Sequence, residues 1–229
     1  MAESAHLSDT PEIRARWGGF AWTAENAAAA KAIIARYPPG RQASAVMPLL
    51  FLAQQQVGAE EGNYGWLPIP VLEFIGRELD MAKIRVLEVA TFYTMFNLSP
   101  PGKYLVQVCG TTPCQLAGAD DLFAECRRRG MSIAGTTPDG LFTLAEVECM
   151  GACANAPMVQ INDDNYEDLT AESLGTVLDA LARGEMPPPG SQTGRKASCP
   201  AGGPTTLQAM VEGNHDYRGQ WGAKEVAGG

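Results

Sequence analysis

Cys109-Gly-Thr-Thr-Pro-Cys114 and Cys149-Met-Gly-Ala-Cys153 are the two segments around which this sequence is organised. Each segment places two cysteines a short loop apart, so four of the six cysteines lie in two tight pairs. Thiolates are soft, anionic ligands, and four of them together select zinc or an iron–sulfur centre that offsets their mutual repulsion. The sequence therefore predicts a metal centre built from thiolates.

The cysteine spacing favours an iron–sulfur cluster over zinc. Structural zinc sites usually pair cysteines as Cys-x2-Cys or use histidine ligands. Here the gaps are four and three residues, and the two histidines, His6 and His215, are near the termini. In a [2Fe–2S] cluster each iron takes two protein ligands, so two cysteine pairs complete the coordination. We predict a [2Fe–2S] cluster that moves single electrons, and a structural zinc-binding module is the remote alternative.

Hydrogen bonds to the sulfurs are expected from the two loops. The hydroxyl groups of Thr111 and Thr112 are candidates, together with backbone N–H groups. The N–H candidates are those of Gly110, Thr111, Thr112, Gly151 and Ala152. Rieske-type ligation would need two histidines beside the cysteines, so we expect a low reduction potential for this class of cluster.

Other uses of the cysteines fit the sequence less well. Ordinary core cysteines would be scattered, and structural disulfides need an oxidising compartment. The first twelve residues resemble neither a secretory signal nor a transit peptide, which indicates a bacterial cytoplasmic protein. A dithiol oxidoreductase would use Cys-x-x-Cys, which neither pair matches. Of the remaining cysteines, Cys126 is expected to be a small buried residue in a helix, and Cys199 to be exposed.

The composition is that of an ordinary packed protein with an acidic surface. The 229 residues suffice for one large or two small domains, and 45% of them are hydrophobic. A net charge of −9 argues against nucleic acid or an anionic membrane surface as a partner. No apolar run approaches the roughly 18 residues of a membrane helix, so no membrane insertion is expected. Since nucleotide-binding motifs and a His-based triad are also missing, no catalytic residue is predicted.

The N-terminal part has the apolar periodicity of helices. Thr23 is expected to cap the first helix, and a second follows with Pro48 inside its pattern, which predicts a kink or a later start. A third helix begins near residue 68. The fourth, over residues 82–96, is apolar on most sides, so we expect it at the junction with a second domain.

The C-terminal part changes to the order β-α-β-β-α, a small α/β sandwich. A strand over 104–108 ends at Cys109, and a strand over 141–148 ends at Cys149. A helix is predicted over 116–129, then a hairpin and a last helix capped by Thr170. Both cysteine pairs then lie in loops at strand ends, where such folds commonly build their sites.

The end of the chain, from Met186 onward, has the composition of a tail. Proline and glycine are frequent there, and large apolar residues are few. We expect an extended segment without a core of its own, either disordered or ordered on a partner, and we favour the partner.

Four stretches of the sequence carry a family resemblance. They are Glu88-Val-Ala-Thr-Phe-Tyr-Thr-Met-Phe96, Val108-Cys-Gly-Thr-Thr-Pro-Cys114, Glu146-Val-Glu-Cys-Met-Gly-Ala-Cys-Ala-Asn-Ala-Pro157 and Tyr166-Glu-Asp-Leu169. They closely resemble the 24-kDa-type (NuoE) subunits of respiratory complex I, NADH:quinone oxidoreductase, over about residues 24–185. By this resemblance the cluster ligands, one pair per iron, are Cys109, Cys114, Cys149 and Cys153.

The same resemblance implies an α+β fold. Its parts would be an N-terminal helical bundle with a leading arm over residues 1–100, a thioredoxin-like [2Fe–2S] ferredoxin domain over 101–185, and the Gly/Pro-rich tail over 186–229. It also implies an electron-transfer subunit of a proton-translocating NADH dehydrogenase, which would not be active alone.

The partners follow from the resemblance as well. The [2Fe–2S] cluster would exchange an electron with the FMN of a flavin-bearing, NADH-oxidising (NuoF-type) subunit, off the main path to quinone. Through that subunit the chain would join the iron–sulfur subunit of the peripheral arm in a hetero-oligomer. The implied location is cytoplasmic, peripheral to the bacterial inner membrane through the complex. The alternative is the equivalent diaphorase-type subunit of an NAD-reducing hydrogenase or formate dehydrogenase.

Overall fold

The computed structural model describes residues 8–200, 202–203 and 205–206, so the predicted leading arm is described only in part and both histidines fall outside these ranges. The N-terminal part is helical and the C-terminal part holds a mixed sheet, which is the predicted α+β order. The N-terminal helices are α1 (Pro11–Trp17), α2 (Ala24–Ile34), α3 (Val46–Glu61), α4 (Ile69–Glu78) and α5 (Lys83–Phe92). In the described ranges, no helix combines the length and hydropathy of a membrane-spanning segment.

Local signals in the sequence place the helix ends. Thr23 Oγ1 accepts a 3.2 Å hydrogen bond from Asn26 N and caps α2, as predicted. Pro48 falls in the first turn of α3, where its missing N–H leaves no helical hydrogen bond unmade. At the end of α3, Gly62 adopts a left-handed conformation with φ of 72°. The core of this part includes the fully buried Leu49, Leu50, Val57, Leu72 and Ile75.

Helix α5 differs from its prediction in length and burial. It ends at Phe92 rather than at residue 96, and its buried residues are Val86 and Ala90. Phe92 is 77% exposed. The expectation of burial on most sides is therefore wrong. The reason is that α5 packs with one face on α4, while Phe96 and Leu98 beyond its end turn into the core.

The C-terminal part forms a sheet with the strand order β2-β1-β3-β4-β5. Its elements are β1 (Tyr104–Cys109), α6 (Thr112–Leu116), α7 (Ala119–Arg128), β2 (Phe142–Val147), β3 (Val159–Ile161), β4 (Asp164–Glu167), α8 (Ala171–Ala182) and β5 (Gly190–Ser191). Strand β1 pairs in parallel with β2 and antiparallel with β3, and β3 and β4 form the predicted hairpin. Helices α7 and α8 contribute Leu122 and Leu178 to the core that the sheet shares with them.

Two segments depart from the expected pattern. The helix predicted over 116–129 is divided into α6 and α7 by Gly118, which has a left-handed φ of 109°. After α8, β5 pairs in parallel with β4, and Tyr166 Oη donates a 3.2 Å hydrogen bond to Pro187 O. The described start of the predicted tail thus packs on the chain's own sheet. The division into domains at residues 100 and 185 stays a prediction.

Candidate functional site

Parallel pairing of β1 and β2 brings the two cysteine loops to the same end of the sheet. In this pairing Cys109, the last residue of β1, is opposite Val147, the last residue of β2. Gly110 N donates a 2.8 Å hydrogen bond to Val147 O, and the Cys109 thiol donates to Glu148 O at 3.4 Å. The chain therefore leaves both strands side by side, and the predicted position of the cysteines at strand ends is confirmed.

The first cysteine pair is buried. Cys109 is 2% exposed and Cys114, in α6, is fully buried, and both pack with Ala119 and Met158. Burial raises the pKa of the Cys114 thiol to about 11, and the adjacent Cys109 raises it further. The Cys114 thiol is thus protonated near neutral pH, and metal binding there would release its proton.

The second cysteine pair lies at the surface. Cys149 and Cys153 are both exposed, and Gly151 between them has a left-handed φ of 79° that glycine adopts without strain. Desolvation by the loop raises the pKa of Cys153, and the neighbouring Cys149 thiol raises it further. Cys109 of the first loop also acts on Cys153 electrostatically. The structure therefore brings members of the two pairs near one another.

The arrangement of these thiols fits a two-iron centre. None of the four is in a disulfide. Among the residues that the structure describes, no three His, Cys, Asp or Glu side chains converge on a single ion position. The thiols instead form two pairs on two adjacent loops. This two-plus-two donor set suits a [2Fe–2S] cluster, in which each iron takes two thiolates.

Asn155 supports the second loop and was missed in the sequence. Its side chain is 3% exposed, and its Nδ2 donates to Glu167 Oε2 at 2.7 Å and to Ala197 O at 2.8 Å. Its backbone carbonyl oxygen accepts a 2.8 Å hydrogen bond from Asp168 N. The only signal in the sequence was that Asn155, Glu167 and Asp168 all belong to the stretches that carry the family resemblance.

The remaining predicted residues have mixed outcomes. Cys126 is fully buried in α7, as predicted, and burial raises its pKa to about 11. Cys199 is only half-exposed, because the segment that carries it packs on the sheet, so the prediction of exposure is wrong. Gly110 N–H is bonded to Val147 O and does not serve as a donor to sulfur. Beside the first loop an open cleft of about 900 Å³ is lined in part by Thr111 and Glu148.

Comparisons with known proteins agree with this donor set. The family model for the thioredoxin-like [2Fe-2S] ferredoxin matches residues 30–182. The chain is 52% identical over 163 residues to the NADH-quinone oxidoreductase E subunit of Rickettsia conorii, a match that covers 71% of this chain and 94% of the relative. It is 50% identical over 194 residues to a second relative, the first of the NADH-quinone oxidoreductase E subunits of Rhizobium meliloti, covering 83% of this chain and 68% of that relative.

A solved structure shows a weaker likeness. The NAD+-reducing [NiFe]-hydrogenase in its air-oxidized state is 19% identical, with a TM-score of 0.48. The superposition covers 58% of this chain and 23% of the hydrogenase chain. A likeness at this level carries no argument about function.

Proposed function

Since the chain belongs to the family of thioredoxin-like [2Fe–2S] ferredoxins and of NADH-quinone oxidoreductase E subunits, we propose that it is an electron-transfer subunit of such a complex. We further propose that Cys109, Cys114, Cys149 and Cys153 hold the [2Fe–2S] cluster. The observation that carries this assignment is the meeting of two thiol pairs at the adjacent ends of parallel strands β1 and β2.

The two cysteine pairs have different tasks in this proposal. When bound, a [2Fe–2S] cluster accepts and gives up single electrons. Cys109 and Cys114 hold their end of the site among Ala119 and Met158, where apolar side chains exclude water. Cys149 and Cys153 lie at the surface, which leaves their end accessible to a docked protein. The buried pair thus anchors the centre, and the exposed pair faces the electron-exchange partner.

The proposed partner is a flavin-bearing, NADH-oxidising (NuoF-type) subunit, through which the chain would join the iron–sulfur subunit of the peripheral arm. The names of the relatives support this, because they are subunits of an NADH-quinone oxidoreductase. The same names favour this complex over the hydrogenase or formate dehydrogenase alternative. We also propose that the whole assembly translocates protons and holds this chain at the cytoplasmic side of the bacterial inner membrane as a peripheral subunit.

Reduction by two different donors tests the cluster and the partner separately. The full chain is purified without oxygen, alone and with its flavin-bearing subunit, and electron paramagnetic resonance (EPR) spectra are recorded after adding dithionite or NADH. Dithionite should produce the signal of a reduced [2Fe–2S] centre in both samples, and NADH only in the sample with the flavoprotein. A Cys109→Ala variant serves as the control and should give no such signal.

Each negative result has its own meaning. If dithionite produces no signal in the wild-type chain, the cluster assignment is wrong. If dithionite produces the signal but NADH never does in the presence of the flavoprotein, the proposed partner is wrong and the cluster assignment stands.

A further inference from the structure

The described part of the C-terminal segment crosses back over the second cysteine loop. From β5 the chain continues toward Cys199, and its backbone and side chains meet the residues that follow Cys153. Ala197 O accepts a 2.8 Å hydrogen bond from Asn155 Nδ2, and Ala154 O accepts a 2.7 Å hydrogen bond from Arg195 Nη2. The loop with the exposed thiols is therefore held from outside by this segment.

Arg195 is the centre of these contacts. Its guanidinium group binds both carboxylate oxygens of Asp168, with Nε 2.9 Å from Oδ2, and also donates to Cys199 O at 3.0 Å. Ser191 Oγ donates to Asp168 Oδ2 at 2.6 Å. The Arg195 and Asp168 side chains are only 14% and 12% exposed. Only the planar, forked guanidinium can serve a carboxylate and two carbonyls in this way.

Asp168 is itself joined to the cysteine loop. Its backbone N–H donates to Asn155 O at 2.8 Å, and the preceding residue, Glu167, accepts from Asn155 Nδ2 at 2.7 Å. Asp168 has a left-handed φ of 53°, which a non-glycine residue adopts only where its surroundings hold it. Arg195 thus reaches the loop twice, directly at Ala154 and indirectly through Asp168 and Asn155.

From these contacts we infer that Arg195 is a positioning residue for the metal centre. By binding the carbonyl of the residue next to Cys153, it holds the exposed cysteine pair in one conformation for cluster binding. The inference rests on the proposed function, because it takes Cys149 and Cys153 to be ligands. Residues that orient ligands in this way influence how tightly a metal centre is held and how far water reaches it.

The test compares Arg195→Gln and Arg195→Lys with the wild-type full chain. Lysine keeps the charge beside Asp168 but cannot also serve the carbonyls of Ala154 and Cys199. Arg183→Gln is the matched control, because Arg183 makes an exposed ion pair with Glu185. The readouts are the rate of iron release to a chelator, the EPR line shape and the midpoint potential, each in samples whose circular dichroism matches the wild type.

We expect iron release to be about tenfold or more faster in Arg195→Gln, in the range seen when groups that orient metal ligands are removed. The line shape should broaden and the potential should shift. Arg195→Lys should fall between this variant and the wild type, and Arg183→Gln should match the wild type.

Three results would overturn the inference. If the Gln variant releases iron at the wild-type rate with an unchanged spectrum and potential, Arg195 does not position the site, although the proposed function stands. If the Lys variant matches the wild type in all three readouts, charge alone suffices and the carbonyl contacts are irrelevant. If the wild-type chain holds no cluster, the proposed function and this inference both fail.

Discussion

Tyr64 Oη donates a 3.0 Å hydrogen bond to Asp163 Oδ1 and so joins the end of α3 to the β3–β4 turn. The backbone supports this joint, because Tyr64 N donates to Gly102 O at 3.2 Å. Burial raises the pKa of Tyr64, and the hydrogen bond to Asp163 raises it further, so the phenol stays protonated as a donor at neutral pH. The helices and the sheet are thus connected by a specific polar contact.

Tyr64→Phe should remove this contact with little other change. Loss of one partly buried hydrogen bond should lower the free energy of unfolding by about 1 kcal/mol. Urea unfolding followed by circular dichroism measures the change. Tyr37→Phe is the control, because among the described residues no hydrogen bond to the Tyr37 hydroxyl is found. Equal stability of Tyr64→Phe and the wild type would show that the contact contributes nothing.

Asn162 in the β3–β4 turn combines a left-handed φ of 55° with two side-chain hydrogen bonds. Its Oδ1 accepts from Leu105 N at 2.8 Å, and its Nδ2 donates to Lys103 O at 3.2 Å. Asn162→Gly keeps the backbone conformation but loses both bonds, whereas Asn162→Ala also adds about 1 kcal/mol of backbone strain. Thermal unfolding should therefore rank the wild type above glycine and glycine above alanine. An alanine variant as stable as the glycine variant would contradict the argument.

Glu125 connects α7 to α8 through arginine. It is 5% exposed, accepts a 2.6 Å hydrogen bond from Arg129 and also binds Arg128, while Arg129 reaches Asp179 of α8. Burial raises the pKa of Glu125, but the two guanidinium groups lower it by more, so the net shift is downward. Its pKa is therefore lower in the folded chain than in the unfolded chain. The stabilisation is complete above the ordinary glutamate pKa of 4.5 and is lost as the pH falls through the lower, folded value.

Glu125→Gln should lower the free energy of unfolding by about 2 kcal/mol at pH 7. It should also weaken the loss of stability that the wild type shows below pH 4.5. Urea unfolding at pH 7, 5 and 3.5 measures both effects. The control is Glu185→Gln, whose exposed ion pair with Arg183 should contribute less than about 1 kcal/mol. Parallel pH profiles for Glu125→Gln and the wild type would exclude this role for Glu125.

Cys126 separates structural from ligand cysteines. It is fully buried in the core of the sheet and outside both loops. Cys126→Ala should lower stability by about 1 kcal/mol, since it removes a small apolar group from a packed core, while iron and sulfide contents stay unchanged. Cys114→Ala, which also replaces a buried cysteine, should lose the metal as well. Loss of iron from the Cys126 variant, measured by metal analysis, would refute the division.

The parts of the fold that follow local signals could be predicted from the sequence. Thr23 and Thr170 cap helices where their positions indicate, and β1 ends at Cys109 because an apolar, β-branched run meets a loop there. The cysteine loops were predicted for the same reason. Their approach to each other depends on the parallel pairing of β1 with β2, which no local pattern determines.

Long-range contacts explain what the sequence could not show. Residues 187–200 have the composition of a free tail, yet a two-residue strand and the Arg195–Asp168 ion pair hold them on the sheet. Composition reports the lack of a separate core, but not a partner elsewhere in the chain. Helix α5 shows the opposite error, since apolar residues on most sides predicted burial, while Ile84 and Phe92 are exposed.

The most direct test of the central claim is a measurement of iron, acid-labile sulfide and zinc per chain, on full-length protein purified without oxygen. A [2Fe–2S] centre held by the four cysteines predicts about two irons and about two sulfides per chain, with little zinc. Stoichiometric zinc without sulfide would contradict the account, and the two cysteine pairs would then form a structural metal site with no role in electron transfer.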